Sequence, residues 1–234
     1  LVSNNKVIGI HQPNFFPWKG YFNKIYNSDN FIFLDNVLFS KGSFSNRVKI
    51  SIQGKSHWLT CPIYHKKSNE KIRNIKINNS KDWKRKSLKT LEQNYKKSPY
   101  YEETMNWLQP MILQDTEYLS QYNINNIKGI CRILDIKTKI HVQSDIETEG
   151  SSTELLIELV KLVGGSTYYS GQGGLKYQDE QKFKNKDINL IYQNYQLLEY
   201  PQVGCKAFIP GLSIIDCFFN TGIEMCKKMV INSV

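Results

Sequence analysis

The sequence of 234 residues predicts an α/β fold: a mostly parallel sheet flanked by helices, Rossmann-like, with an inserted β-hairpin and a helical segment. Three observations predict it. Short apolar runs such as VIGIHQ (7–12) and FIFLDN (31–36) alternate with segments whose apolar residues recur at helical spacing. The helical segments carry start and stop signals, and crossovers of that length join parallel rather than antiparallel strands. No internal repeat or low-complexity linker divides the chain, so residues 1–234 read as a single α/β domain in which 82–134 form a largely helical subdomain.

The elements follow in order. VIGIHQ reads as a short buried strand, GYFNKIYNSD as a helix and FIFLDN as the next strand, which makes a β-loop-α-β unit. RVKISI and HWLTCPI alternate as strands, with QGK as the hairpin turn between them. Helices are expected over 82–97 and 101–114, with Pro99 and Pro110 as punctuation, and a longer one over about 116–134 leading to KIHVQSD. STELLIELVKLVGG is a helix with a Ser/Thr N-cap ahead of Glu154 and a double-glycine stop; TYYSG and INLIYQNY complete the strands.

Composition narrows the function classes. No run of about 18 apolar residues is present, and LVSNNK lacks a secretory h-region, so a cytoplasmic protein without a transmembrane segment is expected. Five cysteines, Cys61, Cys131, Cys205, Cys217 and Cys226, are widely spaced and never paired as C-x-x-C, which argues for buried thiols and against a disulfide framework or a metal site. The formal charge of +10 attracts anions in general, whether nucleotide, phosphorylated sugar, RNA or anionic membrane. Much of that excess is Lys in polar stretches such as KKSNEKIRNIKINNSKDWKRK (66–86), read as a solvated face.

Ligands in open α/β sheets sit beyond the carboxyl ends of the strands, and the first such loop is HQPNFFPWKG (11–20). His11 and Gln12 end the strand, Asn14 and Trp18 offer polar and aromatic contacts, and Gly20 permits close backbone approach at a helix start that favours an anion. His11 and Trp18 read equally as loop support and hydrophobic cover. A second cluster, LDNVLFSKGSFSNRVKI (34–50), offers Asp35 at a strand end, then Ser40, Lys41, Ser43, Asn46 and Arg47, a set able to clamp phosphate or carboxylate or simply to form a polar turn. The third is YYSGQGGLKYQD (168–179), where Ser170 and Gly171 expose backbone amides and Tyr177 and Asp179 can orient a sugar or ribose. The fourth is YPQVGCKAFIPGLSIIDCFFNTG (200–222), with Gln202 and an amphipathic helix presenting Asp216 and Asn220 one turn apart. An aspartate inside such a helix needs a partner, and Lys41 or Arg47 are the candidates. A Cys205 nucleophile with His11 as its base is set aside, because a buried thiol explains Cys205 as well.

IHQPNFFPWKGYFNKI, FIFLDNVLFSKGSFSNRVKI, WLTCPI, YYSGQGGLKY and FIPGLSIIDCFFNTG occur together in the order and spacing of the WbqC-like protein family, which the chain resembles from about Val7 to Gly222. The resemblance implies a role in bacterial surface-polysaccharide or O-antigen biosynthesis, with glycyl or other aminoacyl transfer to an amino sugar as the suggested activity. A more distant likeness joins the opening loop, with Pro17, Gly20 and Tyr21, to the ATP-binding loop of HIGH-motif nucleotidyltransferases and amide ligases. The chain departs from that pattern: Tyr21 stands where a second histidine would be, the proline-to-glycine spacing is short, and no KMSKS-like signature follows.

Three functions follow as expectations. The first is an acyl or aminoacyl transferase acting on the amine of a nucleotide-linked amino sugar, with His11, Asp35 and Lys41 as catalytic candidates and an aminoacyl-tRNA, carrier thioester or acyl adenylate as donor. The second is a nucleotidyltransferase or adenylating amide ligase using ATP and Mg²⁺. The third is a non-catalytic module for sugar nucleotides or glycans.

Overall fold

In the structure, a computed structural model that describes residues 5–64, 69–176 and 178–231, five parallel strands form one sheet. They are β1 (Val7–His11), β2 (Asn30–Phe33), β7 (Lys139–Val142), β8 (Thr167–Ser170) and β9 (Asn189–Tyr192), in the spatial order β7-β2-β1-β8-β9. Numbered by their sequence within the sheet, the strands run 3-2-1-4-5, the order of a Rossmann-like sheet. The chain adds strands outward on one side of β1 and then crosses to add them on the other. The reversal point lies between β1 and β8.

Side-chain alternation separates the two faces. Ile8, Ile10 and Ile32 join Tyr168, Phe183 and the apolar residues of helix α5 (Ser152–Leu162) in one buried cluster. Phe31 and Phe33 point the other way, into a larger cluster with helices α1 (Lys19–Tyr26), α4 (Leu119–Ile133) and α7 (Ile214–Ile231). That cluster also takes residues of α2 (Trp83–Tyr95) and α3 (Tyr101–Leu113), and α2 packs on α3, which packs on α7. A short helix α6 (Glu180–Lys184) precedes β9. No helix among the described residues is long and apolar enough to cross a membrane.

Strands β3 (Arg47–Ile52) and β4 (Lys55–Thr60) form the expected hairpin and pair only with each other. Gln53 (φ 51°) and Gly54 (φ 70°) both occupy the left-handed region, as a two-residue hairpin turn requires. The single strand expected over HWLTCPI is broken at Cys61–Pro62, where proline has no N–H to continue a ladder. Its remainder, β5 (Ile63–Tyr64), pairs with β6 (Lys76–Ile77).

Four other expectations are corrected. Pro110 lies inside α3, in its last third, rather than ending it. Ser151 stands at the N-cap of α5 without a side-chain capping bond, and Glu154 turns outward to Lys182 at 2.8 Å. The lysine-rich stretch 66–86 is only partly a solvated face: among its described residues Lys76, Lys81 and Lys86 are exposed, but Ile72, Ile75, Ile77 and Trp83 are core residues. The first two turns of α7 are buried all round, from Ile214 to Asn220, so the helix is not amphipathic where it carries Asp216. Its course breaks at Gly222 (φ 74°), against the ring of Tyr100.

Two loops that the sequence marks for function are held together by one side chain. Asn123 of α4, fully buried, donates through Nδ2 to the carbonyl of Pro13 at 2.8 Å and to that of Ser45 at 2.7 Å. The amide of Phe15 donates to the carbonyl of Phe44 at 2.9 Å, beside it. Asn123→Ala leaves two buried carbonyls without donors and should lower unfolding free energy by about 2–3 kcal/mol, measured by urea denaturation; a loss below about 0.5 kcal/mol would show that the loops hold without it.

Candidate functional site

The opening loop is rigid for reasons visible in its bonds. Phe16 sits at φ 40°, an uncommon conformation for an aromatic residue, and its carbonyl accepts from the Ser213 hydroxyl at 2.6 Å. The amide of Ile214 donates to the carbonyl of Pro17 at 3.0 Å, so the start of α7 buttresses the loop. Gly20 is needed for space, since a Cβ there would lie 2.5 Å from the Trp18 ring. The close approach is therefore to Trp18, which also meets Tyr195 edge-on at 5.3 Å, and the start of α1 is buried under it instead of being open to an anion.

His11 closes β1 on a cavity of about 340 Å³. Its walls come from the ends of β1 and β8 and from the start of α5: Ile10, His11 and Gln12 on one side, Tyr168, Gly174 and Gln178 on another, Ser152, Thr153 and Leu155 above, with Leu34 and Val37 after β2. This is the reversal point of the sheet, where open α/β folds bind ligands.

The chemistry of His11 is set by its neighbours. Nδ1 lies 3.0 Å from the carbonyl oxygen of Gln12, which can only accept, so the network assigns the proton to Nδ1. Nε2 then carries the lone pair, and among the described residues no group bonds it. The Tyr21 hydroxyl donates to the same Gln12 carbonyl at 2.8 Å, and its ring packs edge-on against the imidazole at 4.8 Å. Burial, with the charge of Lys24 adding to it, lowers the His11 pKa from 6.5 to about 4, so the ring is neutral at physiological pH.

Lys24 was not foreseen. It is fully buried on α1, donates to the Ile10 carbonyl at 2.7 Å and lies 5.7 Å from the centre of the Tyr168 ring; burial lowers its pKa from 10.5 to about 7. Its place in an apolar helical stripe, three residues after Tyr21 and one before Ile25, is the signal that marks it in the sequence. Thr153, Tyr168 and Gln178 were also missed as a group. Gln178 donates to the Ser170 hydroxyl at 2.9 Å and the Tyr168 hydroxyl at 3.3 Å, and its Oε1 is buried without a partner.

The sequence candidates separate into three places. His11 and Gln12 line the cavity; Ser170 adjoins it through Gln178; Tyr21 sets His11; Gly171 lies at the strand end in open space, and Tyr177 is outside the described residues. Asp35 is buried and both carboxylate oxygens are taken by Ser144, at 3.0 Å from its amide and 2.9 Å from its hydroxyl, so it ties the end of β2 to the turn after β7. Burial raises its pKa. Asp179 caps α6 by accepting from the Lys182 amide.

The second place is the outer loop. Ser40 and Lys41 are exposed, Ser43 and Ser45 share a hydroxyl bond, Asn46 donates to the Cys61 carbonyl, and Arg47 donates to the Gly42 carbonyl at 2.6 Å. Asn14 lies on the opening loop that Asn123 and the Phe15 amide join to this one.

The third place is a buried node. Asp216 accepts from the hydroxyls of Tyr95 at 2.7 Å and Tyr200 at 2.8 Å and from Gln202 at 3.1 Å. Asn220 donates back to the Asp216 carbonyl at 2.7 Å and accepts from the Val203 amide at 2.8 Å. Lys41 and Arg47 are therefore not its partners. The cation that favours its charge is buried Lys19, which bonds the Leu198 carbonyl at 2.9 Å and lies 4.4 Å over the Tyr200 ring. Burial still raises the Asp216 pKa overall. The node is separate from the His11 cavity and borders another, of about 390 Å³, lined by Tyr200, Gln202 and Cys205. Cys205 lies 3.2 Å from the Ser51 hydroxyl, away from His11. Among the described residues no group of acidic, histidine and cysteine side chains is placed to hold a metal.

Fold and site together define a Rossmann-like α/β protein with a cavity at the point where strand order reverses. The chain belongs to the WbqC-like protein family, whose model matches residues 12–228. It is 32% identical over 222 residues to the Mycobacterium tuberculosis protein described as uncharacterized protein Rv1507c, covering 94% of this chain and 95% of that one. No solved structure matches it.

Two outcomes are expected. Because the folded His11 pKa lies below 6.5, the stability contributed by the neutral ring is complete above pH 6.5 and drains as pH falls toward 4. The difference in unfolding free energy between the protein and His11→Asn should thus change by up to about 3 kcal/mol across that window; a flat difference would mean an ordinary histidine. Asp216→Ala leaves two buried tyrosine hydroxyls without acceptors and should cost about 3–5 kcal/mol in denaturation, against an unchanged midpoint if the node is dispensable.

Proposed function

We propose that the protein is a transferase of bacterial glycan biosynthesis that moves an acyl or aminoacyl group, glycyl among them, onto the amine of a nucleotide-linked amino sugar. The observation that carries the reading is His11: neutral, fixed as the Nδ1–H tautomer, and presenting an unbonded Nε2 at the cavity where the sheet order reverses. Family membership supports the glycan context. Ser152 and Thr153 at the cavity begin α5, and the positive end of that helix suits the phosphate of a sugar nucleotide. Apolar walls from Ile10, Leu34, Val37 and Leu155 suit the sugar ring and exclude water.

In the proposed step the amine nitrogen attacks the acyl carbonyl, the new C–N bond forms, and the bond to the donor's oxygen or sulfur breaks. With a pKa of about 4, His11 is too weak to strip a proton from a ground-state ammonium. It takes the proton from the amine nitrogen as C–N bond formation makes that nitrogen acidic, and returns it to the leaving group. Gln12, beside His11, orients the sugar hydroxyls. The Asp35 carboxylate, bound by Ser144, supports the strand end and takes no proton.

His11→Ala should abolish turnover of UDP- or dTDP-linked amino sugars with an activated acyl donor, read by mass spectrometry of the acylated sugar, while the thermal midpoint and sugar-nucleotide affinity stay close to those of the unaltered protein. Turnover that survives in this variant removes His11 from the chemistry, and pyrophosphate release dependent on ATP and Mg²⁺ would point to an adenylating ligase instead.

A further inference from the structure

One segment of the chain carries basic residues with no acidic residue among them. Between Asp35 and Glu70 the sequence contains no acidic residue and six basic ones, Lys41, Arg47, Lys49, Lys55, Lys66 and Lys67. Elsewhere, Lys76, Lys96, Lys137 and Lys182 each meet a carboxylate. Lys41, Arg47, Lys49 and Lys55 form no ion pair among the described residues.

The β3–β4 register makes a platform of this excess. Lys49 stands directly across from Trp58, and Arg47 lies diagonal to it on the same face. The guanidinium carbon of Arg47 is 4.1 Å from the centre of the Trp58 ring, and the Lys49 ammonium is 5.5 Å from it. The Phe44 ring lies tilted beside Trp58 at 5.7 Å between ring centres, and both rings remain open to solvent, Trp58 at 42% and Phe44 at 49% exposure. Arg47 Nε is shielded from water and has no partner among the described residues.

We propose that this face of the β3–β4 hairpin binds single-stranded nucleic acid, with bases stacking on Trp58 and Phe44 and phosphates meeting Arg47, Lys49 and Lys41. Aromatic rings interleaved with unpaired cations on an open strand surface are the elements of such a platform. The charge is complementary to a phosphate backbone, and an open face suits a strand that spreads its contacts better than it suits a mononucleotide, which needs enclosing walls. The proposal stands on the hairpin alone and does not depend on the reading of the His11 cavity.

The test is fluorescence anisotropy of labelled oligouridine and oligothymidine of about 12 nucleotides, titrated with the whole chain at salt from about 50 to about 200 mM. Trp58→Ala should weaken binding roughly tenfold or more at every salt concentration, and Trp58→Phe should restore most of it. Arg47→Ala with Lys49→Ala should lower the slope of log affinity against log salt by about 1.4. A control pair on α2, Lys86→Ala with Lys89→Ala, should leave affinity for the strand at the higher salt unchanged. His11→Ala should bind as the unaltered protein does, which separates this surface from the cavity. The proposal is overturned if Trp58→Ala binds as well as the unaltered protein, which would reduce the interaction to net charge, or if vesicles rich in phosphatidylserine bind and the oligonucleotides do not.

Discussion

Much of the molecule hangs on one buried carboxylate. Asp216 forms no ion pair among the described residues and is held by two tyrosine hydroxyls and an amide from two other parts of the chain: Tyr95 on α2, and Tyr200 and Gln202 on the long connection after β9. The Tyr95 hydroxyl also accepts from the Ser51 amide at 2.9 Å, which draws the β3–β4 hairpin into the same network. A charge of this kind is tolerable only with its donors in place, because in a low dielectric each missing hydrogen bond exposes the full cost of desolvation. Asp216 therefore makes the helical layer, the hairpin and the last connection fold as a unit. Just before it in the chain, Ser213 and Ile214 grip the opening loop, so the node sets the position of the loop that begins at His11 without approaching it.

His11 shows how a fold fixes the tautomer of a side chain through one backbone carbonyl while burial sets its charge. A single carbonyl, that of Gln12, receives both the imidazole Nδ1–H and the Tyr21 hydroxyl, which fixes the tautomer and the ring plane together. Lys24, buried against the preceding carbonyl, adds positive charge from behind and discourages a second proton. The result is a neutral acceptor at a cavity rim, a state that a solvent-exposed histidine would share with its protonated form near neutral pH.

The hairpin and the cavity divide what the basic composition offered as one property. The cavity at β1 and β8 has mostly apolar walls with a few convergent polar groups, while Arg47 and Lys49 stand on the outer strands around Trp58. Asn123 links them mechanically, since the same amide group holds the carbonyl of Pro13 and that of Ser45.

The sequence by itself determined the alternation of strands and helices, the hairpin turn at Gln53 and Gly54, and the place of His11 at the end of the first strand, because these rest on local periodicity and turn chemistry. It also grouped Asp35, Lys41 and Asp216 with His11, since residues near strand ends and polar residues in apolar helices look alike when read along the chain. Tertiary structure decided otherwise: Asp35 went to Ser144, Lys41 to the surface, and Asp216 to tyrosines lying 121 residues before it and 16 residues before it in the chain. The strand order that places the cavity between β1 and β8 was equally invisible, as was the burial of Lys24. Hydrogen-bond partners and desolvation depend on which surfaces meet across the folded chain, and no local pattern carries that information.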